Sequence, residues 1–159
     1  SIIVLNIASY YSLKFDYEKS ITYYEESLKI TGPVWLKLTS IYCIVLQYSM
    51  LKNTSKILEW CDKGLELYSS NPEEQNKEIW YHLKIHLAIH KDINNFVKLV
   101  TDAISYFANA EDFRHAHKYA LLLGNHFNKK GKYKSATLLF MQANKYLALK
   151  EKRVFLEDL

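Results

Sequence analysis

The sequence predicts an all-helical protein of about four helix-turn-helix repeats. Apolar residues recur with a period close to 3.6, and strand signals are nearly absent. Only four glycines and two prolines interrupt the 159 residues, so long helices joined by short turns are expected. Equivalent first-helix positions recur 37, 39 and 40 residues apart, at Ala8, Val45, Lys84 and Gly124.

The same offsets hold at other positions of the predicted repeats. A large residue three positions later recurs as Tyr11, Tyr48, Leu87 and Phe127. The second helix repeats at Ser20, Ile57, Phe96 and Ala136, and again at Ser27, Gly64, Ala103 and Ala143. Recurrence in both helices indicates a repeat array, in which each repeat buries its apolar face against its neighbours.

The first four helices follow from periodicity and from turn residues. Helices are expected at about 3–14 and 17–30, and Gly32 is predicted to end the second helix in a left-handed conformation. Pro33 opens the next helix, where its missing N–H costs nothing. The third and fourth helices are expected at about 34–51 and 55–68, joined through residues 52–54.

The last four helices are predicted in the same way. Asn71, Pro72 and Glu74 combine an N-cap, a first-turn proline and a glutamate three residues after the cap, which predicts a fifth helix from there to about residue 91. Helices six to eight are expected at about 93–109, 113–129 and 133–149, with Gly131 closing helix seven. The predicted repeats are 1–32, 33–71, 72–110 and 111–149, and a further helix is expected to begin within 150–159.

Charge gives little indication of a nucleic-acid partner. The net charge of +4 comes from 21 basic and 17 acidic residues spread along the chain. Residues 128–134 form a local basic segment, which we interpret as a solvated turn because a nucleic-acid footprint is a broad basic face. Contact with DNA is expected only through a separate domain outside this chain.

The remaining composition predicts a cytoplasmic protein. Cys43 and Cys61 form no CxxC pair and are predicted to be buried thiols in a reducing compartment. The apolar run 41–51 is shorter than the roughly 20 residues of a membrane span, so no membrane contact is expected. Both ends are apolar where a solenoid needs polar caps, which predicts a piece of a longer array. The start without Met fits either a piece or a processed chain.

No motif in the sequence predicts catalysis or a cofactor. The glycine-rich phosphate loops, the nucleophile elbow and the zinc-protease motif are absent, so no catalytic residue is assigned and the chain is not expected to be an enzyme. His82, His86 and His90 lie at i, i+4 and i+8 on one helix face. With no Cys, Asp or Glu recognised on that stripe, we interpret them as surface or groove histidines and predict no metal site.

The repeat pattern resembles the tetratricopeptide family over nearly the whole chain. The resemblance is clearest in the fourth repeat, at Leu123, Gly124, Phe127, Tyr133, Ala136, Phe140 and Ala143. It implies a right-handed superhelix in which the first helix of each repeat lines a concave groove. The two-lysine, several-asparagine clamp of chaperone-binding members is not reproduced, because Leu5, Tyr42 and Leu121 occupy positions where it needs charge or amide groups.

By this resemblance, eight residues are predicted to line a ligand groove. Asparagine can pair with both the N–H and the C=O of an extended peptide, lysine can meet a carboxylate, and tyrosine offers flat apolar area with a hydroxyl. The predicted ligand residues are Asn6, Ser9, Tyr42, Tyr81, His82, Lys118, Asn125 and Asn128.

Repeats of about 40 residues and a composition typical of AT-rich bacterial genes resemble the peptide receptors of the Rap, NprR and PlcR type in Gram-positive bacteria. The resemblance implies a quorum-sensing regulator that binds a short signalling peptide, controls an output module outside this chain and dimerises through its outer repeats. Two alternatives stay open: a generic scaffold that binds a segment of a partner protein, and the repeat part of a Rap-like phosphatase whose catalytic residues lie upstream. An output domain of the DNA-binding helix-turn-helix type would separate the sensor from the phosphatase.

Overall fold

The computed structural model describes the backbone of residues 2–157 and the side chains of residues 2–152. These residues form eight α-helices and no strand, so the all-helical prediction is confirmed. The helices are α1 (Ile2–Leu13), α2 (Tyr17–Lys29), α3 (Val34–Met50), α4 (Thr54–Ser69), α5 (Lys77–His90), α6 (Phe96–Asn109), α7 (Phe113–Lys129) and α8 (Tyr133–Glu157).

The chain divides between Ile93 and Asn94 into two compact units. Unit 1 contains α1 to α5, and unit 2 contains α6 to α8. The predicted third repeat therefore has its first helix in unit 1 and its second in unit 2. The arrangement of all four repeats as one array stays a prediction.

Unit 1 is held together by consecutive antiparallel helices. Each of its helices packs against the next, and α3 also contacts α5. Its core contains Leu38, Ile44 and Leu83, which are fully buried. Burial of such aliphatic side chains stabilises a fold by about 1.5 to 3 kcal/mol each relative to an exposed position.

Small hydroxyl side chains join the helices of unit 1 at the predicted repeat positions. Ser20 Oγ donates to the Ala8 carbonyl across α1 and α2 at 2.8 Å. Ser27 Oγ donates to Ser40 Oγ across α2 and α3 at 3.0 Å. Because Ser20 and Ala8 are fully buried, these bonds satisfy polar atoms that would otherwise be costly to bury.

Unit 2 packs α7 against both α6 and α8. Five alanines of these helices are almost fully buried: Ala103, Ala116, Ala120, Ala136 and Ala143. Their small side chains allow close approach of the backbones, and His117 Nδ1 lies 2.8 Å from the Ala143 carbonyl oxygen across α7 and α8. The predicted register of small residues in the last repeat is therefore confirmed.

Four of the turns share one backbone conformation. In each, the second residue after the end of the helix has a positive φ: Phe15 (61°), Lys52 (55°), Glu111 (58°) and Gly131 (74°). The next residue donates its N–H to a carbonyl five positions back, as Asp16 does to Tyr11 and Asp112 does to Phe107. This is the Schellman pattern, which satisfies carbonyls left free at a helix end. Gly131 is left-handed and closes α7, as predicted.

At three of these turns, the residue after the left-handed one is the N-cap of the next helix. Asp16, Asn53 and Asp112 each accept a hydrogen bond from the N–H three residues later. These are N-caps, each contributing about 1 kcal/mol. One short sequence, a left-handed residue followed by Asp or Asn, therefore ends one helix and starts another at three of the four turns.

Three predicted boundaries are wrong. Gly32 is not left-handed, because α2 ends at Lys29 and Ile30 is already extended. Helix α5 begins at Lys77 with Asn76 as its N-cap, whereas Asn71 bonds back to the Leu67 carbonyl at the end of α4. Residues 150–157 continue α8 and begin no new helix, and residues 158–159 lie outside the described residues.

Candidate functional site

Three of the eight predicted ligand residues lie on one exposed face of α7. Lys118 and Asn125 are seven residues apart, and Asn128 lies three residues further on, so all three follow the helical repeat. All three are exposed. The opposite face of α7 carries the buried residues Tyr119 and Leu123, so the amides and the ammonium are turned away from the core of unit 2.

The Lys118 ammonium is under electrostatic strain. Desolvation lowers its pKa, and the positive charge of Arg114, one turn earlier on α7, lowers it further. Its Nζ lies 5.7 Å from the centre of the Tyr119 ring, a modest cation–π contact. A carboxylate bound beside Lys118 would offset the repulsion between the Lys118 and Arg114 cations.

Two of the predicted residues of α3 and α5, Tyr42 and His82, contact each other in unit 1. The Tyr42 ring stacks on His82 with 4.6 Å between ring centres and 5° between planes. Tyr42 also meets the His86 ring edge-to-face at 6.0 Å. Tyr42 is half-buried, whereas Tyr81 and His82 are buried. Their direct contact with a ligand stays a prediction, and in this structure Tyr42 is the most accessible of the three.

Two expectations for the histidine stripe are wrong. His82 and His86 are buried and only His90 is exposed, so the surface interpretation is wrong for His82 and His86, and their place in a groove stays a prediction. An acid does lie on the stripe, one turn before His82: Glu78 Oε1 is 3.7 Å from His82 Nε2. Helix α5 is buried along much of its length, and His82 and His86 pack inside the protein for that reason.

The predicted residues of α1 are both exposed. Ser9 Oγ hydrogen bonds to Tyr24 Oη at 3.2 Å, which links α1 and α2. Burial raises the pKa of Tyr24 to about 12 and also raises the pKa of Cys43. Ser9 is therefore bonded to a buried tyrosine, and the side chain of Asn6 is exposed.

Sequence reasoning missed a cleft between α2 and the turn that joins α3 to α4. Its volume is about 310 Å³, and it lies wholly within unit 1. The lining residues are Glu18, Ile21, Thr22, Glu25, Tyr48, Leu51 and Asn53. The four from α2 lie at i, i+3, i+4 and i+7, the spacing of one helix face. That spacing was visible in the sequence, but only the fold brings Tyr48 and Asn53 opposite it.

The basic segment 128–134 is the exposed turn that was predicted. All seven residues are exposed, and Lys132 Nζ lies 5.9 Å from the Phe127 ring centre. Desolvation and the nearby lysines lower the pKa of His126. In the part of the chain that the structure describes, no helix is both long and apolar enough to cross a membrane.

Paired helices with small residues at their contacts define the fold as a helical-repeat fold of the tetratricopeptide type. A solved relative supports this class: the crystal structure of the apo form of RapI matches with a TM-score of 0.60 and 14% identity, covering 92% of this chain and 67% of that chain. No protein-family model matches the chain.

A curated relative indicates the kind of protein in which such a domain occurs. The chain is 22% identical over 152 residues to the transcriptional activator NprA of Geobacillus stearothermophilus. The match covers 89% of this chain but only 37% of the length of NprA. The chain thus has a Rap/NprR-like tetratricopeptide fold, and the similarity supports a regulatory domain of that type.

Proposed function

We propose that this chain is the ligand-sensing part of a bacterial cytoplasmic regulator and binds a short peptide, which controls an output module outside the chain. The proposal assigns binding and no reaction to these residues. The regulatory part of the proposal is supported by the similarity to a transcriptional activator and by the fold shared with RapI.

The exposed face of α7 carries the proposal. Two asparagines and a lysine project from it within three helical turns, and desolvation and the neighbouring Arg114 lower the pKa of that lysine. Asn125 and Asn128 would pair with the backbone of an extended peptide without demanding a sequence. Lys118 would receive a carboxylate, from the peptide C-terminus or from an acidic side chain.

For peptide binding to act as a signal, the peptide must bind two conformations of the regulator with different affinity. A difference of 1.4 kcal/mol corresponds to a tenfold change in the ratio of the two states. The output is accordingly expected to respond to peptide only when the full-length protein is present.

Affinity selection tests the proposal. The purified domain is incubated with pools of five- to eight-residue peptides carrying free C-termini, and retained peptides are identified by mass spectrometry. We expect individual hits to bind saturably by calorimetry and to lose about tenfold or more in affinity in Asn125→Ala. Asn144→Ala is the matched control, because Asn144 is an equally exposed asparagine on α8.

Two results would overturn the proposal. The first is that no pool yields a saturable ligand while the domain is folded by circular dichroism. The second is that Asn125→Ala and Asn144→Ala bind every hit with unchanged affinity, which would separate binding from the α7 face. Either result favours a scaffold that binds folded partner proteins.

A further inference from the structure

We propose that the cleft between α2 and the α3–α4 turn binds an arginine side chain of a partner polypeptide. The inference does not rest on the proposed peptide-sensing function, because none of the cleft residues belongs to the eight predicted ligand residues. A partner seated here would contact α2, the end of α3 and the α3–α4 turn.

The charge of the cleft selects a cation. The chain as a whole carries a net charge of +4, yet the cleft is lined by two glutamates and by no lysine or arginine. Neither Glu18 nor Glu25 forms an ion pair with another residue that the structure describes, whereas nearby Glu59 pairs with Lys56 and Lys63 at 2.9 and 3.0 Å. The lining of the cleft is thus acidic on a basic protein, and the Lys56 ammonium, which lies outside the lining, acts on Glu25 from nearby.

The lining also favours a long side chain with an apolar stem. Ile21 and Leu51 supply apolar surface, and Glu18 and Glu25 lie two helical turns apart, roughly 10 Å along α2. Arginine carries three methylenes before its charged group, so its stem can cover apolar surface while the guanidinium reaches a carboxylate. A compact inorganic cation would leave the apolar part unused.

Tyr48 distinguishes arginine from lysine. Its ring is half-buried in the wall of the cleft. Burial raises the pKa of its hydroxyl, the charges of Glu25 and Glu59 raise it further, and those of Lys56 and Lys63 lower it. A planar guanidinium can stack on the tyrosine face while donating two hydrogen bonds to one carboxylate, which an ammonium cannot do. Glu25 and Tyr48 together therefore provide both halves of an arginine site.

The experiment is a titration of the isotope-labelled domain followed by amide NMR. The probe is the capped tripeptide acetyl-Gly-Arg-Gly-amide, and the comparator is acetyl-Gly-Gln-Gly-amide, which has no charge. We expect saturable shifts at Ile21, Thr22 and Asn53 with the arginine peptide at millimolar concentration, and none with the glutamine peptide.

Matched variants locate the binding. Glu25→Gln should weaken the arginine peptide by about tenfold, and Tyr48→Leu should weaken it by a smaller factor. Glu26→Gln removes the same charge from the adjacent, exposed position of α2 outside the cleft and should leave the affinity unchanged.

Three outcomes would overturn the inference. These are equal shifts with both peptides, no saturable shifts in the folded wild-type protein, and equal weakening by Glu25→Gln and Glu26→Gln. The third outcome would identify general attraction to the α2 surface instead of a site. The comparison of the two peptides on wild-type protein decides the question even where a variant is poorly folded.

Discussion

Phe140 of α8 packs directly over Gly124 of α7. A Cβ atom built on Gly124 would lie 2.6 Å from Phe140 Cε1 and 2.8 Å from Cδ1, closer than side chains tolerate. Glycine costs about 1 kcal/mol in a helix interior relative to alanine. The close approach of the Phe140 ring leaves no room for a Cβ atom, which explains why a glycine occupies this position in the helix.

The contact predicts that the effect of Gly124→Ala on the free energy of unfolding changes sign when Phe140 is replaced by alanine. Gly124→Ala should destabilise the wild-type domain by about 1 kcal/mol, because overpacking costs about 1 to 3 kcal/mol and exceeds the gain in helix propensity. In a Phe140→Ala background the clash is gone, and the same change should stabilise by about 1 kcal/mol.

Urea unfolding of the four proteins measures both effects. Phe140→Ala alone should cost about 2 to 3 kcal/mol, below the range for a fully buried phenylalanine because Phe140 is half-buried. Additive effects of the two substitutions would show that the ring does not restrain residue 124.

The left-handed turn residues give a second prediction. Lys52 has a φ of 55°, which costs about 1 kcal/mol for a residue with a Cβ. Lys52→Gly should therefore stabilise the domain by about 0.5 to 1 kcal/mol. Lys52→Ala is the control, because it removes the side chain but keeps the Cβ, and its effect should be near zero.

The reverse substitution should have the opposite sign. Gly131 has a φ of 74°, and no atom lies within 4 Å of a Cβ built on it. Gly131→Ala should destabilise by about 1 kcal/mol through the backbone alone. If Lys52→Gly destabilised or Gly131→Ala were neutral in thermal unfolding, the left-handed assignment of these turns would be contradicted.

The pattern of the sequence predicted the helices more successfully than their ends. Periodicity identifies which residues are buried, and six of the eight helices start within one residue of the expected place. The start of the fifth helix was predicted wrongly, because the Asn71 side chain donates to the Leu67 carbonyl at the end of α4 instead of capping the next helix. An asparagine can cap either neighbour, and only the tertiary path of the chain decides which.

The candidate site was predictable only in part. The α7 residues follow from the register, because Gly124 and Leu123 fix which face is buried and hence which face carries Asn125. The burial of His82 could not be predicted, because a histidine on an amphipathic helix can lie on the buried face or on the exposed face. The acidic cleft depends on residues from α2 and from a distant turn, which periodicity does not place together.

The buried thiol of Cys61 gives a pH-dependent prediction. Burial raises its pKa to about 12 from an ordinary value of about 9, and Cys61 is fully buried. Between these values the unfolded chain releases a proton that the folded chain retains, so stability falls as pH rises. The slope is about 1.4 kcal/mol per pH unit from this group, with onset near pH 9.

Cys61→Ala tests the slope. The variant is less stable at pH 7, because a small buried group is lost, but its stability should fall less steeply between pH 9 and pH 11. Urea unfolding at each pH measures the difference, and Cys43→Ala gives a comparison at a half-buried thiol. Parallel stability curves for Cys61→Ala and wild type would show that Cys61 ionises normally in the folded protein.

The strain at Lys118 predicts a compromise between stability and binding. Desolvation and Arg114 lower the Lys118 pKa, so the charged form destabilises the free domain below the ordinary lysine pKa, and this cost disappears above it. Lys118→Gln should therefore stabilise the free domain at pH 7 by about 0.3 kcal/mol, a small effect because the side chain is exposed and screened. The stability difference from wild type should vanish near pH 11.

The same substitution should weaken any peptide retained through its carboxylate by about tenfold, because the anion loses its partner. A residue kept only for packing would lower stability when replaced and leave affinity alone. Chemical unfolding and calorimetric titration with free-acid and amidated forms of one peptide distinguish the two roles. If the Lys118→Gln variant bound the free acid as tightly as wild type, Lys118 would not belong to the site. A loss of stability with unchanged affinity would show that Lys118 serves packing alone.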